Sequence, residues 1–476
     1  MTDNLTKTLR IFSFILGILA VFSLASYHIE EGFFLFLGFL LAGVAFFFYP
    51  KFKLETTAVI LGLVPSAFLF NNFKINFSFL TEGLGISSFP IDLRFFLFLL
   101  LFFIFLIEFI SNFRSFSRAP LFFPIIALGF FFSLSLIWSN YPSLSLSQIV
   151  IFNVPFVSYL LIFFLIQRPG NFLRLLFILV ISSLPVLLYS IFQIISGDFF
   201  FEPDSSLGRI TGTFTHPNLL GLYLFSIASI IFLGLGSVNF SPGSNNKRIL
   251  IFISILLFPI FMLTFSRTAW ILLSLFLAVF WSGSWRYFKK MILGLMLFGA
   301  IVLVYQPVQE RITGMFERTP FDSIWARENI FRFGLEKFSE KPLWGYGIGT
   351  FEEIVKDAKE SDEGSSFPHN DVLMVALEGG IPSALLFLAL LGWIFIHFTL
   401  LWRKFSDTLL EELFWKEKLI LHSKELSRAC LAISFVIIVG GVVETMFLKT
   451  ATMLIFFSIL GAVDGMLGNK NGLIKQ

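Results

Sequence analysis

Residues 369–401 read HNDVLMVALEGGIPSALLFLALLGWIFIHFTLL, and their reading decides the fold. From Asp371 onward the run is apolar and exceeds the roughly 20 residues that a helix needs to cross a bilayer. His369-Asn370 places a titratable, hydrogen-bonding pair where a polar connection meets the start of that helix. About two helical turns on, Glu378-Gly379-Gly380-Ile381-Pro382-Ser383 puts an acid and a helix break into the same apolar segment.

Working outward, the run is one of many. The chain has 476 residues, 57% hydrophobic and only 14% charged, where soluble domains carry roughly 25% charged residues. Mean hydropathy is +0.87. Further apolar runs lie near 11–27, 33–49, 55–70, 93–110, 121–138, 147–166, 173–195, 217–236, 249–265, 268–284, 290–306, 429–447 and 450–466. The expectation is an all-α, polytopic integral membrane protein of about 12–14 transmembrane helices. Transmembrane helices are expected over 1–306 and 371–476, with a long extracytoplasmic loop between them over 307–370.

Charge orients these spans. Lys51 and Lys53, Arg114 and Arg118, Arg168, Lys247 and Arg248, and Arg403 and Lys404 alternate with acidic or neutral connections. The positive-inside rule puts them all in the cytoplasm. The 307–370 loop is then external, far longer than the usual helix link of about 2–8 residues. Asp322 is a good N-cap, and Ile324, Ile330, Phe331, Leu335 and Phe338 recur at helical spacing. This predicts an amphipathic helix over Ser323 to Glu340. The stretch 402–428 looks like a second amphipathic helix rich in charge, with a solvated connector as the favoured reading.

Several function classes drop out. No basic polar domain is present, so no nucleic-acid partner is expected. Cys430 is the single cysteine, and no metal-ligand spacing, Walker A motif or dinucleotide fingerprint occurs, so no cofactor is expected. Two arginines break the charge rule: Arg209, in Gly208-Arg209-Ile210-Thr211-Gly212, and Arg267, in Ser266-Arg267-Thr268-Ala269-Trp270. A guanidinium at the outer boundary suits the oxygens of a diphosphate; snorkelling to lipid headgroups is the alternative. His369 is a candidate base, and Asn370 either orients it or caps the helix. Glu378 is an intramembrane acid, Arg327 a third phosphate contact or a surface ion pair, and His216 either a substrate contact or a helix cap.

These motifs, in this order, resemble the O-antigen ligase and O-antigen polymerase superfamily of bacterial envelope glycosyltransferases. The resemblance rests on Gly208-Arg209-x-x-Gly212-x-Phe214 with Pro217-Asn218, and on Ser266-Arg267-x-Ala269-Trp270. Pro342-Leu343-Trp344-Gly345-Tyr346-Gly347-Ile348-Gly349-x-Phe351 follows, then His369-Asn370 with nine residues before Gly380. Trp138-Ser139-Asn140-Tyr141-Pro142-Ser143 is similar to a further family loop. The resemblance implies a metal-independent, inverting glycosyltransferase of lipopolysaccharide biosynthesis. It would move a glycan from undecaprenyl diphosphate to a lipid A-core acceptor, at the outer face of the bacterial inner membrane. His369 would be the catalytic base and Arg209 and Arg267 would hold the diphosphate. Asn370, Arg327, Glu378 and His216 would contact substrate. A polymerase of the same superfamily, using a second lipid-linked glycan as acceptor, fits the same motifs. A transporter or flippase is the reading from another class.

Overall fold

The computed structural model describes residues 40–67, 75–76, 90–91, 93–201, 208–239, 244–282, 289, 309, 323–357, 368–404, 409–414 and 417–468. The expected spans near 11–27 and 290–306 lie outside these residues, as does the first part of the one near 33–49.

The chain is an all-α, multi-pass membrane protein. Its helices are α1 (Lys53–Ala67), α2 (Leu93–Phe116), α3 (Phe122–Leu134, continued by a 3-10 turn Ser135–Trp138), α4 (Pro142–Leu165), α5 (Pro169–Ile181) and α6 (Leu184–Ser196). There follow α7 (Pro217–Ser237), α8 (Asn245–Leu263), α9 (Arg267–Trp281), α10 (Ser323–Glu340) and α11 (Phe351–Asp357). The last three are α12 (Asp371–Lys404), α13 (Ser423–Val443) and α14 (Thr450–Gly468). Among the described residues eight segments are long and apolar enough to cross a membrane, with α5 and α6 forming one bent span. The runs Phe122–Trp138 and Arg267–Trp281 are shorter apolar helices.

Proline and glycine set several boundaries. Pro142, Pro169 and Pro217 each stand in the first turn of their helix, where a missing N–H costs nothing. Gly197 ends α6 in the left-handed conformation. At the centre α14 packs along α4 and α13 packs between α9 and α12. The α14 residues are buried throughout their length. Gly461 makes this close approach possible, because a Cβ there would lie 2.3 Å from the Tyr159 carbonyl oxygen. Exposed Phe123, Phe130, Phe192 and Ile195 are the lipid-facing counterpart.

Polar ties bind the end of the bundle that gathers the short basic loops. Lys53 and Tyr49 both bond to the buried Glu108, and Arg174 pairs with Glu55. Asp464 of α14 accepts from the Tyr159 hydroxyl at 2.7 Å and contacts His397 Nε2 at 2.7 Å.

One expectation is corrected here. Among the described residues, 402–428 hold no single amphipathic helix. α12 ends at Lys404, and β4 (Leu409–Phe414) and β5 (Glu417–His422) pair antiparallel before α13 begins at Ser423. β3 (Val238–Asn239), at the end of α7, joins the other edge of β5. Leu, Glu and Lys favour a helix by only a few tenths of a kcal/mol each. Pairing to β3 supplies backbone partners from a distant part of the chain, which local periodicity does not reveal. A second short pair joins β1 (Ile75–Asn76) to β2 (Pro90–Ile91).

Candidate active site

The site is built at the start of α12, opposite the basic loops. Three consecutive residues there dock on the turn that follows α13. His369 Nδ1 lies 2.8 Å from Glu444 Oε1. Asn370 donates from Nδ2 to the Val442 carbonyl at 3.2 Å. Asp371, buried, accepts from the backbone amides of Met446 and Phe447 at 3.1 Å each. Asn370 also caps α12, its Oδ1 accepting from the Leu373 amide at 2.9 Å. His369 is held at φ 48, a left-handed conformation that a non-glycine residue keeps only when its surroundings enforce it.

Glu444 was not singled out in the sequence, and it organises this site. Its side chain is 2% exposed, yet three basic groups reach it: His369, Arg327 Nη2 at 3.2 Å, and Lys449 Nζ at 3.7 Å. Burial alone would raise its pKa, but Lys449, His369 and Arg327 outweigh that effect and hold the carboxyl below the usual carboxylate range. An ionised Glu444 can only accept, so His369 Nδ1 is the donor. In the neutral imidazole Nε2 is then the acceptor of the ring.

The outer loop is locked to α12 by a break in that helix. Gly380 has φ 74 and ψ −176, and a Cβ there would lie 2.1 Å from the Leu343 carbonyl oxygen. The interruption frees the carbonyls of Leu377 and Glu378, which accept from the amides of Tyr346 and Gly347 at 2.9 and 2.8 Å. Ile381 N donates in turn to the Pro342 carbonyl at 2.9 Å. Gly345, with φ 67, passes so close to α12 that a Cβ would meet the Leu377 carbonyl oxygen at 2.5 Å. From the other side Trp138 Nε1 donates to the Trp344 carbonyl, while Ser135 Oγ accepts from the Ile348 amide. The three motifs at 138–143, 342–351 and 378–380 are therefore one packed unit.

α10 spans Ser323–Glu340, as its periodicity predicts. Ile330 and Phe333 pack on Leu373, Met374 and Leu377 of α12, whereas Phe331 and Leu335 are exposed. This places Arg327 over the end of α13, where Nη1 donates to the Val443 carbonyl at 3.1 Å.

The remaining sequence candidates fall into two groups. Arg209 is 1% exposed, and its guanidinium donates to the Thr264 carbonyl and to Asn218 Oδ1, both at 2.8 Å. It therefore braces the turn that delivers Ser266-Arg267. Arg267 opens α9 and is half-buried. α9 packs along α13, with Leu272 against Gly440, so Arg267 and Glu444 lie at the same end of that pair. His216 caps α7, its Nδ1 accepting from the Asn218 amide at 3.1 Å. Glu378 is 2% exposed and borders a cavity of about 260 Å³, which Lys449 and Met374 also line.

Residues 252–388 match the family model described as O-Antigen ligase. The match supports membership of the O-antigen ligase and polymerase superfamily. It takes in Arg267, Arg327, His369, Asn370, Glu378 and the Gly380 break, while Arg209, His216 and Glu444 lie outside it. No curated protein matches the chain.

Proposed function

We propose that this protein is an O-antigen ligase-like glycosyltransferase of the bacterial inner membrane, with its site facing the periplasm. It would move a glycan from undecaprenyl diphosphate to a lipid A-core acceptor. The observation that carries this reading is His369, held through Nδ1 by a buried carboxylate at the mouth of a membrane bundle, with basic side chains around it.

In the proposed reaction His369 Nε2 takes the proton from an acceptor hydroxyl as that oxygen attacks the anomeric carbon of the donor glycan. The new C–O bond forms opposite the one that breaks, so the configuration inverts. Undecaprenyl diphosphate leaves with the bonding electron pair. Arg267 would neutralise the charge that develops on it, an effect that is large where water is partly excluded. Arg209 would act through the turn it braces. Arg327 and Lys449 keep Glu444 ionised, which fixes the His369 tautomer. The leaving diphosphate makes the transfer favourable, and the chemistry calls on protein side chains alone. Asn370 and His216 would serve the site as helix caps that fix the two approaching chain segments.

The same geometry serves a polymerase whose acceptor is a second lipid-linked glycan. Envelope polysaccharide from a deletion strain separates the two. Uncapped core with accumulated long polymer indicates a ligase, and core bearing single repeat units indicates a polymerase. Glycan transfer by purified protein in detergent, with no membrane to cross, tests the enzyme reading against transport.

A further inference from the structure

The cavity beside Glu378 is formed where the outer ends of five spans converge. Arg94 comes from the first turn of α2, Gln148 from α4, Phe214 from the loop before α7, Glu352 from α11, Glu378 from α12, and Lys449 from the turn before α14. It is adjacent to the His369 site, because Lys449 lines it and also approaches Glu444 at 3.7 Å. The Glu378 carboxyl faces the backbone amides of Gly349, Thr350 and Phe351. Its Oε1 nevertheless makes no hydrogen bond of good geometry among the described residues. Oε1 exposes less than 1 Å² here, so a donor in the cavity meets it once the Glu378 side chain turns, and the cost of a buried oxygen left without a partner favours that turn.

The lining states what kind of donor fits. Lys449 is already shared with Glu444, and Glu352 stands in the same lining as Arg94, so a diphosphate would meet a carboxylate and a cation engaged elsewhere. Thr215, Thr450 and Thr452 add hydroxyls, Gln148 adds an amide, and Phe214 adds an apolar surface. Alternating donors and acceptors beside an aromatic face suit a ring that carries hydroxyls on its edge and C–H groups on its faces. A volume of about 260 Å³ equals the liquid share of roughly nine water molecules at about 30 Å³ each, enough for one sugar ring.

We propose that the Glu378 cavity is the subsite for the acceptor sugar, a neutral pyranose that donates a hydroxyl hydrogen to Glu378 Oε1 while its reacting hydroxyl is presented to His369. This rests on the transferase reading, and it is tested by binding as well as by turnover. Thr215 is exposed at the cavity mouth, and Cys430, the single cysteine, is fully buried. Full-length Thr215→Cys in detergent is labelled with a maleimide in the presence of D-glucose, D-mannose or N-acetyl-D-glucosamine, with inorganic diphosphate as the competing probe. At least one sugar is expected to slow labelling saturably. Glu378→Gln in the same background should weaken that protection about tenfold or more. Gln148→Leu, which leaves the amide cradle around Glu378 intact, should weaken it as well. Protection by diphosphate alone, or by no probe, overturns the subsite. In turnover, Thr215→Trp is expected to raise the acceptor KM about tenfold with donor KM unchanged, and the reverse pattern overturns the assignment to the acceptor. Sugar protection of Thr215→Cys with no glycan transfer by the wild-type protein removes the transferase reading and retains a sugar site. Glycan transfer by the wild-type protein with no protection of Thr215→Cys removes the subsite alone.

Discussion

Glu444 shows how much of His369's behaviour is set by a residue 75 positions away. Glu444→Gln preserves shape but no longer demands a donor from Nδ1, so kcat for glycan transfer should fall about 10–100-fold, with folded yield near that of wild type. Glu444→Ala leaves Arg327 and Lys449 facing an empty site, and stability should drop by on the order of 3 kcal/mol, read by thermal unfolding in detergent. The sign of the pH dependence follows from the depressed pKa. The stability that Glu444 contributes is present above the unfolded carboxyl pKa of about 4.3 and is lost only as pH falls through the lower folded value. The difference in melting temperature between wild type and Glu444→Gln should therefore shrink as pH falls below about 4.3. A difference that does not change below that pH would show the carboxyl to be ordinary. His369 was legible because a histidine beside a span start stands out in an apolar chain. Glu444 was not, since it closes one apolar run and its partners come from other helices. An acid within the span expected over 429–447 was the available signal.

The break in α12 has the same dependence on distant chain. Gly380→Ala must place a methyl where the Leu343 carbonyl passes and hold alanine at φ 74. A loss of about 1–3 kcal/mol is expected from the backbone conformation alone, with the 342–349 loop released from α12 and measurable as faster proteolysis there. Unchanged stability and proteolysis would mean that the loop does not depend on the kink. Gly379-Gly380-Ile381-Pro382 announced a break, and the spacing of apolar residues set the limits of α10 correctly. What fills the break was hidden, because Pro342 to Gly349 carries no mark of its partner beyond three glycines in alternation. The 409–422 hairpin was illegible for a related reason. Its sequence is compatible with a helix, and the strand that selects the alternative, Val238–Asn239, lies in another connection.

Across the bundle, the Glu108 and Asp464 contacts and the basic loops occupy one end, while His369, Glu444, Arg327, Arg267 and the Glu378 cavity share the other. Alternation of charge along the sequence was enough to predict that division, since each span reverses the chain. Placing Arg209 inside the protein rather than in the open site required the fold. Arg267→Lys retains charge but loses the planar fork, and transfer should fall about a hundredfold at equal membrane abundance; wild-type turnover in that variant would remove Arg267 from the mechanism. The most direct measurement is transfer of a radiolabelled glycan from undecaprenyl diphosphate to a lipid-linked acceptor by purified protein in detergent, comparing wild type with His369→Ala at matched folded yield. The account predicts product from wild type and none above background from His369→Ala. Equal product from both, or none from wild type, would contradict it.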